Sequence, residues 1–234
     1  MVKNKNIHLS IGRMCGLLLH YFLGYLFFYQ IIATKITLTI DPSATILLPS
    51  VQLVTYLFTT IAAVYLAWPV VKSSFFYFKE NAVKNFRFAI YLVLFILFLN
   101  ILLSLCISLS TSTSQSENQA LIQEASIRLP LMTILSTCFF APIIEESVFR
   151  CGVFACLRGR WNFVFSALLS SLLFGSIHIM DSLFSGNFVD VSYVIVYAGI
   201  GFVLAYGYEK SSSVFVPCIA HALNNLISII LMFI

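Results

Sequence analysis

Seven long apolar runs make up most of this chain, at about residues 14–34, 51–71, 88–108, 129–157, 163–180, 190–208 and 213–234. Each is close to the roughly 20 residues that carry a helix across a bilayer. Their apolar positions do not alternate, as the short strands of a membrane barrel would. Backbone groups in lipid must be bonded internally, so the runs predict helices. The fourth run is long and contains Pro142, which predicts a kink or break there. A split or re-entrant segment would raise the count to eight. The expected fold is all-α: a polytopic transmembrane helical bundle of about 7–8 membrane helices, with no internal repeat of the transporter kind.

Composition agrees with this pattern. The 234 residues are 60% hydrophobic and 9% charged, against about 25% charged in a soluble domain. One membrane unit without a soluble domain is expected. The net charge of +4 is spread along the chain, so no nucleic-acid partner is expected. Membrane lipid is the expected surrounding. The first run is longer than a signal-peptide core of about 7–15 residues and lacks a clear cleavage site, so it reads as a retained helix. No lipidation motif stands at either end. The six cysteines, Cys15, Cys106, Cys138, Cys151, Cys156 and Cys218, fall in apolar segments and read as small buried hydrophobes rather than disulfides.

The placement of charge orients the bundle. With the N-terminus inside, the inner segments hold Lys3, Lys5, Arg13, Lys72, Lys79, Lys84, Arg87, Arg158, Arg160 and Lys210, and the outer segments hold Lys35 and Arg128. The positive-inside rule then predicts a cytoplasmic N-terminus and an external C-terminus. The short chain, with no added domain, suggests a bacterial plasma membrane. Two connections stand out. Lys72–Arg87 mixes basic residues with Phe75, Phe76, Tyr77, Phe78 and Phe86, which suits an interfacial segment or a loop of belt aromatics. Ser110–Asn118 is rich in Ser and Thr and reads as a flexible outer linker.

Charge at bilayer depth costs roughly 3 kcal/mol per residue on insertion scales, so intramembrane charges are candidates for function. One run holds three: Glu145, Glu146 and Arg150. Glu146 and Arg150 are four apart and can pair on one helix face. Glu145 is turned about 100° from Glu146, toward Ala141, Pro142, Val148, Phe149 and Gly152, none of which can neutralise it. Glu145 is therefore the expected base. His178 follows in the next run, and His221 and Asn225 share a face of the last. Counted from the inner ends, Glu146 lies roughly 18 Å up, His178 about 24 Å, His221 about 12 Å and Asn225 about 18 Å. These depths allow one shared cavity near mid-membrane. His8 and His20 have no partner motif and are background.

Such a cavity suits amide hydrolysis. Glu145 with His178 would hold and deprotonate a water, and His221 with Asn225 would donate to the developing oxyanion. Ser147 and Cys151 are poorer nucleophile candidates, with no clear His on their face. A metal is the competing mechanism. Zinc would be held by His178, His221 and Glu145, although H-E-x-x-H is missing. The expectation is no cofactor, with zinc as the alternative.

At these residues the chain resembles the CPBP family of intramembrane proteases (CAAX-processing and bacteriocin-processing, also called Abi). The E-E-x-x-x-R motif reads Glu145 to Arg150, F-x-x-x-H reads Phe174 to His178, and H-x-x-x-N reads His221 to Asn225. Tyr197, Gly199, Gly201, Tyr208 and Pro217 also look like the family. The likeness covers about 129–228, dividing the chain into residues 1–128, helices without a signature, and 129–234, a catalytic helical core. It implies a protease whose first Glu and first His activate water, with the second His and the Asn as the oxyanion site. Glu146, Arg150 and Phe174 would support them. Two departures exist. Cys151 follows the motif Arg where the family has Gly, and Lys210–Phe215 replaces the usual Thr-Gly-Ser-Leu-Trp stretch.

The expected function is an intramembrane endopeptidase acting on a hydrophobic or lipidated peptide. The alternatives are a non-catalytic membrane partner, such as a bacteriocin immunity or sensor-regulating protein, and a small transporter relaying protons through Glu145 and Glu146.

Overall fold

The structure, a computed structural model, describes residues 8–111, 113 and 115–233. Lys3 and Lys5, and Ser112 and Ser114 of the expected linker, lie outside the described residues. Within these, the chain is helical in every regular element. Helix α1 runs Ile11–Ile40, α2 Pro49–Glu80, α3 Ala82–Thr111, α4 Glu117–Arg128 and α5 Pro130–Arg158. Then follow α6 Phe163–Ile177, the short α7 Met180–Ser185, α8 Asp190–Ser211 and α9 Phe215–Leu231. Five of these, α1, α2, α3, α5 and α8, are long and apolar enough to cross a membrane, and α6 and α9 are shorter apolar helices. The seven runs and the all-α polytopic bundle are thus present.

Local chemistry sets the ends. Pro49 and Pro130 open α2 and α5, where the missing N–H would have been unpaired in any case. Asn162 caps α6 by accepting from the Phe165 N–H at 2.9 Å. Ser116 caps α4 by accepting from the Gln119 N–H at 3.3 Å. Gly186, at φ +77°, takes the left-handed conformation that ends α7.

Three connections differ from expectation. The Lys72–Arg87 stretch is neither loop nor separate interfacial segment: α2 continues to Glu80 and α3 starts at Ala82, with only Asn81 breaking the run. The expected outer linker is interrupted by α4, whose first residue is Glu117. This helix is too short and too polar to register as a span. Pro142 does not break α5. Instead the helix is wound as a π-helix at Leu135–Phe140 and again at Glu146–Phe154, on either side of a short α segment that holds Pro142.

Helix α5 is the centre of the bundle. Its spanning window is 56% buried inside the protein, against 22% for α1, α2 and α3. Every residue from Glu146 to Phe154 is buried. Around it pack α1, α2, α6 and α9, while α8 lies between α6 and α3. Small residues permit the closest approach. A Cβ on Gly175 would stand 2.9 Å from the Ala198 backbone nitrogen, and one on Gly201 would stand 3.1 Å from Ser171 Cα. Close backbone approach of this kind replaces the hydrophobic drive that helices lack in lipid.

Candidate active site

The site begins with a buried charge on α5. Glu146 Oε2 and Arg150 Nε are 3.1 Å apart, with side chains 1% and 0% exposed. The pair anticipated from the i,i+4 spacing is present. Arg150 is held from two further sides. Its Nη2 donates to the Gly201 carbonyl of α8 at 3.2 Å, and its guanidinium carbon lies 4.6 Å from the centre of the Phe174 ring of α6. One cation thereby ties α5 to two neighbours through charge, hydrogen bond and cation–π contact.

His221, on α9, closes the cluster. Its Nδ1 is 3.1 Å from Glu146 Oε1, and its Nε2 is 3.8 Å from Glu145 Oε2. A carboxylate accepts, so Nδ1 is the protonated nitrogen toward Glu146. Glu145, without a neutralising residue on its own helix, therefore gains a neighbour from another. Its Oε2 is buried and has no hydrogen-bond partner.

His178 caps the C-terminus of α6. Its Nδ1 donates to the Phe174 carbonyl at 2.9 Å, which fixes the tautomer and leaves Nε2 as an acceptor. The ring stacks on Tyr197 of α8, with centroids 4.5 Å apart and planes at 19°. Tyr197 is fixed in turn by Ser116 Oγ at 2.6 Å and by Asn118 Nδ2 at 3.2 Å. Asn225 donates from Nδ2 to the Thr137 carbonyl of α5 at 2.8 Å.

Glu145, Phe174, His178, Tyr197, His221 and Asn225 all line one cavity of about 240 Å³. Glu146 and Arg150 sit behind its wall. The cavity also receives residues that sequence reasoning passed over: Asn224, Thr137, Ser228 and, from outside the motif region, Asn100, Asn118 and Gln119. Asn100 had a usable signal, as an amide in the middle of an apolar run. Asn118 and Gln119 had none, because α4 was not recognised.

Other candidates fall away from the cavity. Ser147 donates to the Ile143 carbonyl at 2.7 Å, and Cys151 is buried; neither lines the cavity. All six cysteines are free. His8 bonds the Ala155 carbonyl, and His20 bridges the Thr59 carbonyl and the Tyr29 hydroxyl, so both serve packing. Among the described residues no three His, Cys, Asp or Glu side chains form a group that could hold a metal ion. The set His178, His221 and Glu145 does not meet that condition.

Comparison with known proteins follows the same residues. The family model described as "Type II CAAX prenyl endopeptidase Rce1-like" matches residues 127–227. The chain is similar to "Putative membrane peptidase YdiL" of Bacillus subtilis (strain 168), 32% identical over 115 residues, which are 49% of this chain and 43% of that protein. It is also similar to an "Uncharacterized protein" of Mycoplasma capricolum, 35% identical over 102 residues, 43% of this chain and 27% of that one. The chain thus spans less than half the length of these relatives. No solved structure matches. The segment matched by the family model contains Glu145, Arg150, His178, His221 and Asn225, so the likeness to Rce1-like CAAX proteases falls on the residues of the candidate site.

Proposed function

We propose that this protein is an intramembrane endopeptidase that hydrolyses a peptide bond in a hydrophobic or lipidated peptide, using water activated by Glu145. The observation that carries the reading is Glu145, whose buried Oε2 lacks a hydrogen-bond donor, in the lining of a cavity that it shares with His178, His221 and Asn225. A buried carboxylate oxygen without a donor is costly, and a water or substrate in the cavity would supply one.

In this reading a water lies between Glu145 and the bare Nε2 of His178. Its oxygen attacks the scissile carbonyl carbon while its proton passes to Glu145. The carbonyl oxygen becomes an oxyanion, facing His221 and the Asn225 amide. Collapse of the intermediate breaks the C–N bond, and Glu145 returns the proton to the leaving amine. Glu146 and Arg150 touch no reacting atom and act by holding His221.

The chain is placed in a bacterial plasma membrane with its N-terminus inside. Support comes from the basic bias of one end and from relatives in Bacillus and Mycoplasma.

The test is cleavage of quenched hydrophobic and lipidated peptides by the detergent-purified protein, with and without chelator. Wild type is expected to cleave, the chelator to change nothing, and Glu145→Gln to lose roughly 100–10,000-fold in kcat. Loss of cleavage with chelator would put a metal in the cavity. No cleavage by wild type, with a cellular phenotype that survives Glu145→Gln, would favour the non-catalytic partner.

A further inference from the structure

We propose that Pro142 and the Thr137 carbonyl are positioning groups that hold the Asn225 amide with its N–H side toward the cavity. The role in catalysis rests on the peptidase reading above; the geometry does not.

The π-winding of Leu135–Phe140 is set by carbonyls that accept from the residue five ahead. The Ala141 N–H accordingly goes to the Ser136 carbonyl. The next donor in that register, for the Thr137 carbonyl, would be residue 142, which is a proline and has no N–H. Ala141, the α-helical alternative, is already used. Thr137 is thus left with a carbonyl that its own helix does not bond, beside the cavity that the residue lines. Asn225 Nδ2 supplies the missing donor at 2.8 Å.

This contact decides which way the amide points. A carbonyl can only accept, so the nitrogen side of Asn225 must face it. The second Nδ2–H is then available to the cavity. Asn225 Oδ1 is occupied, accepting from Asn224 Nδ2 at 3.4 Å. A flipped amide would present an oxygen to a developing oxyanion and oppose the reaction. Thr137 and Asn225 both line the cavity, so a main-chain atom orders the active face.

Pro142→Ala restores an N–H that competes with Asn225 for the Thr137 carbonyl. It also removes a proline from a helix interior, so the variant should melt no lower than wild type. Its kcat should fall about tenfold with KM unchanged, less than the roughly 100–1,000-fold expected for losing a donor in Asn225→Ala. The double variant should match Asn225→Ala within about twofold, because Pro142 acts through that side chain. An unchanged kcat in Pro142→Ala, or fully additive losses in the double variant, would overturn the proposal. A second measurement needs no activity. In protein labelled with ¹⁵N-asparagine, the Asn225 side-chain signal is assigned by its loss in Asn225→Ala. The shift difference between its two protons should shrink in Pro142→Ala, and an unmoved signal rejects the geometry. If wild type cleaves no peptide, the peptidase reading fails while this measurement still decides the amide's orientation.

Discussion

Glu145 and Glu146 are adjacent in sequence and have different neighbours. Glu146 is held by Arg150 and by His221 Nδ1, while Glu145 lines the cavity and has His221 Nε2 3.8 Å away. This division was legible before the fold was known, because two carboxylates one residue apart lie about 100° apart on a helix and only one can reach a cation four residues on. What the wheel could not show was His221 between them, since it arrives from another helix. The Thr137 carbonyl was equally out of reach: a main-chain acceptor exists at every position, and nothing in the residue type marks the one that is free. The buried pair leads to a stability prediction at this scale. Arg150→Met leaves Glu146 without its cation and should destabilise the protein by about 3–5 kcal/mol. Arg150→Lys should recover only part of that, because a single ammonium cannot serve Glu146, the Gly201 carbonyl and the Phe174 face together. Denaturation in mixed micelles measures both; a Met variant as stable as wild type would show that the pair does not hold α5 in place.

At the level of elements, the positions of the spans could be read from the apolar runs, and their ends could not. Helix α2 extends to Glu80 through Lys72, Lys79 and four aromatic residues, because charged and aromatic side chains at a membrane border are compatible with helix as well as with loop. Helix α4 was missed for the opposite reason. It is short and carries Glu117, Asn118, Gln119, Gln123, Glu124 and Arg128, so no apolar periodicity announces it. Its place is set by tertiary bonds: the Glu117 N–H to Asp190 at 2.9 Å, Ser116 to Tyr197, and Gln123 to the Met232 carbonyl at 3.3 Å. These make α4 a wall of the cavity. The contact between α6 and α8 is the one most sensitive to size. Gly175→Ala would press a methyl group against backbone atoms of Val194 and Ala198, which cannot move as a side-chain tip can. A loss of about 1–3 kcal/mol is expected. Because Phe174 precedes this glycine and His178 follows it by three residues on the same helix, kcat should fall with it. An unchanged melting temperature would contradict the packing described here.

For the whole molecule, the side proposed to be cytoplasmic is tied by bonds between helices. There Arg13 donates to the Leu66 carbonyl at 2.9 Å, Arg158 pairs with Glu209 at 3.0 Å, and Ser213 donates to the Ser74 carbonyl at 2.9 Å. Helices α2, α3 and α1 present exposed apolar side chains such as Ile61, Phe98 and Phe28 outward, as surfaces facing lipid do. The proposed orientation predicts that a single cysteine replacing Lys210, in a cysteine-free background, reacts with an impermeant thiol reagent only after the cells are opened. One replacing Ser43 should react in intact cells. The reverse pattern would invert the topology without altering the site.

The sequence by itself determined that this is a helical membrane protein, because runs of some 20 apolar residues have no other stable solution in lipid. It also marked Glu145, Glu146, Arg150, His178, His221 and Asn225, since polar groups at such depth are expensive and so stand out. The tertiary structure alone decided which of them touch, and which backbone atom faces them. It also decided that an inconspicuous polar helix walls the cavity. Those outcomes depend on distances between helices, set by small residues at the crossings and by the π-windings of α5, and neither is a property of any one run.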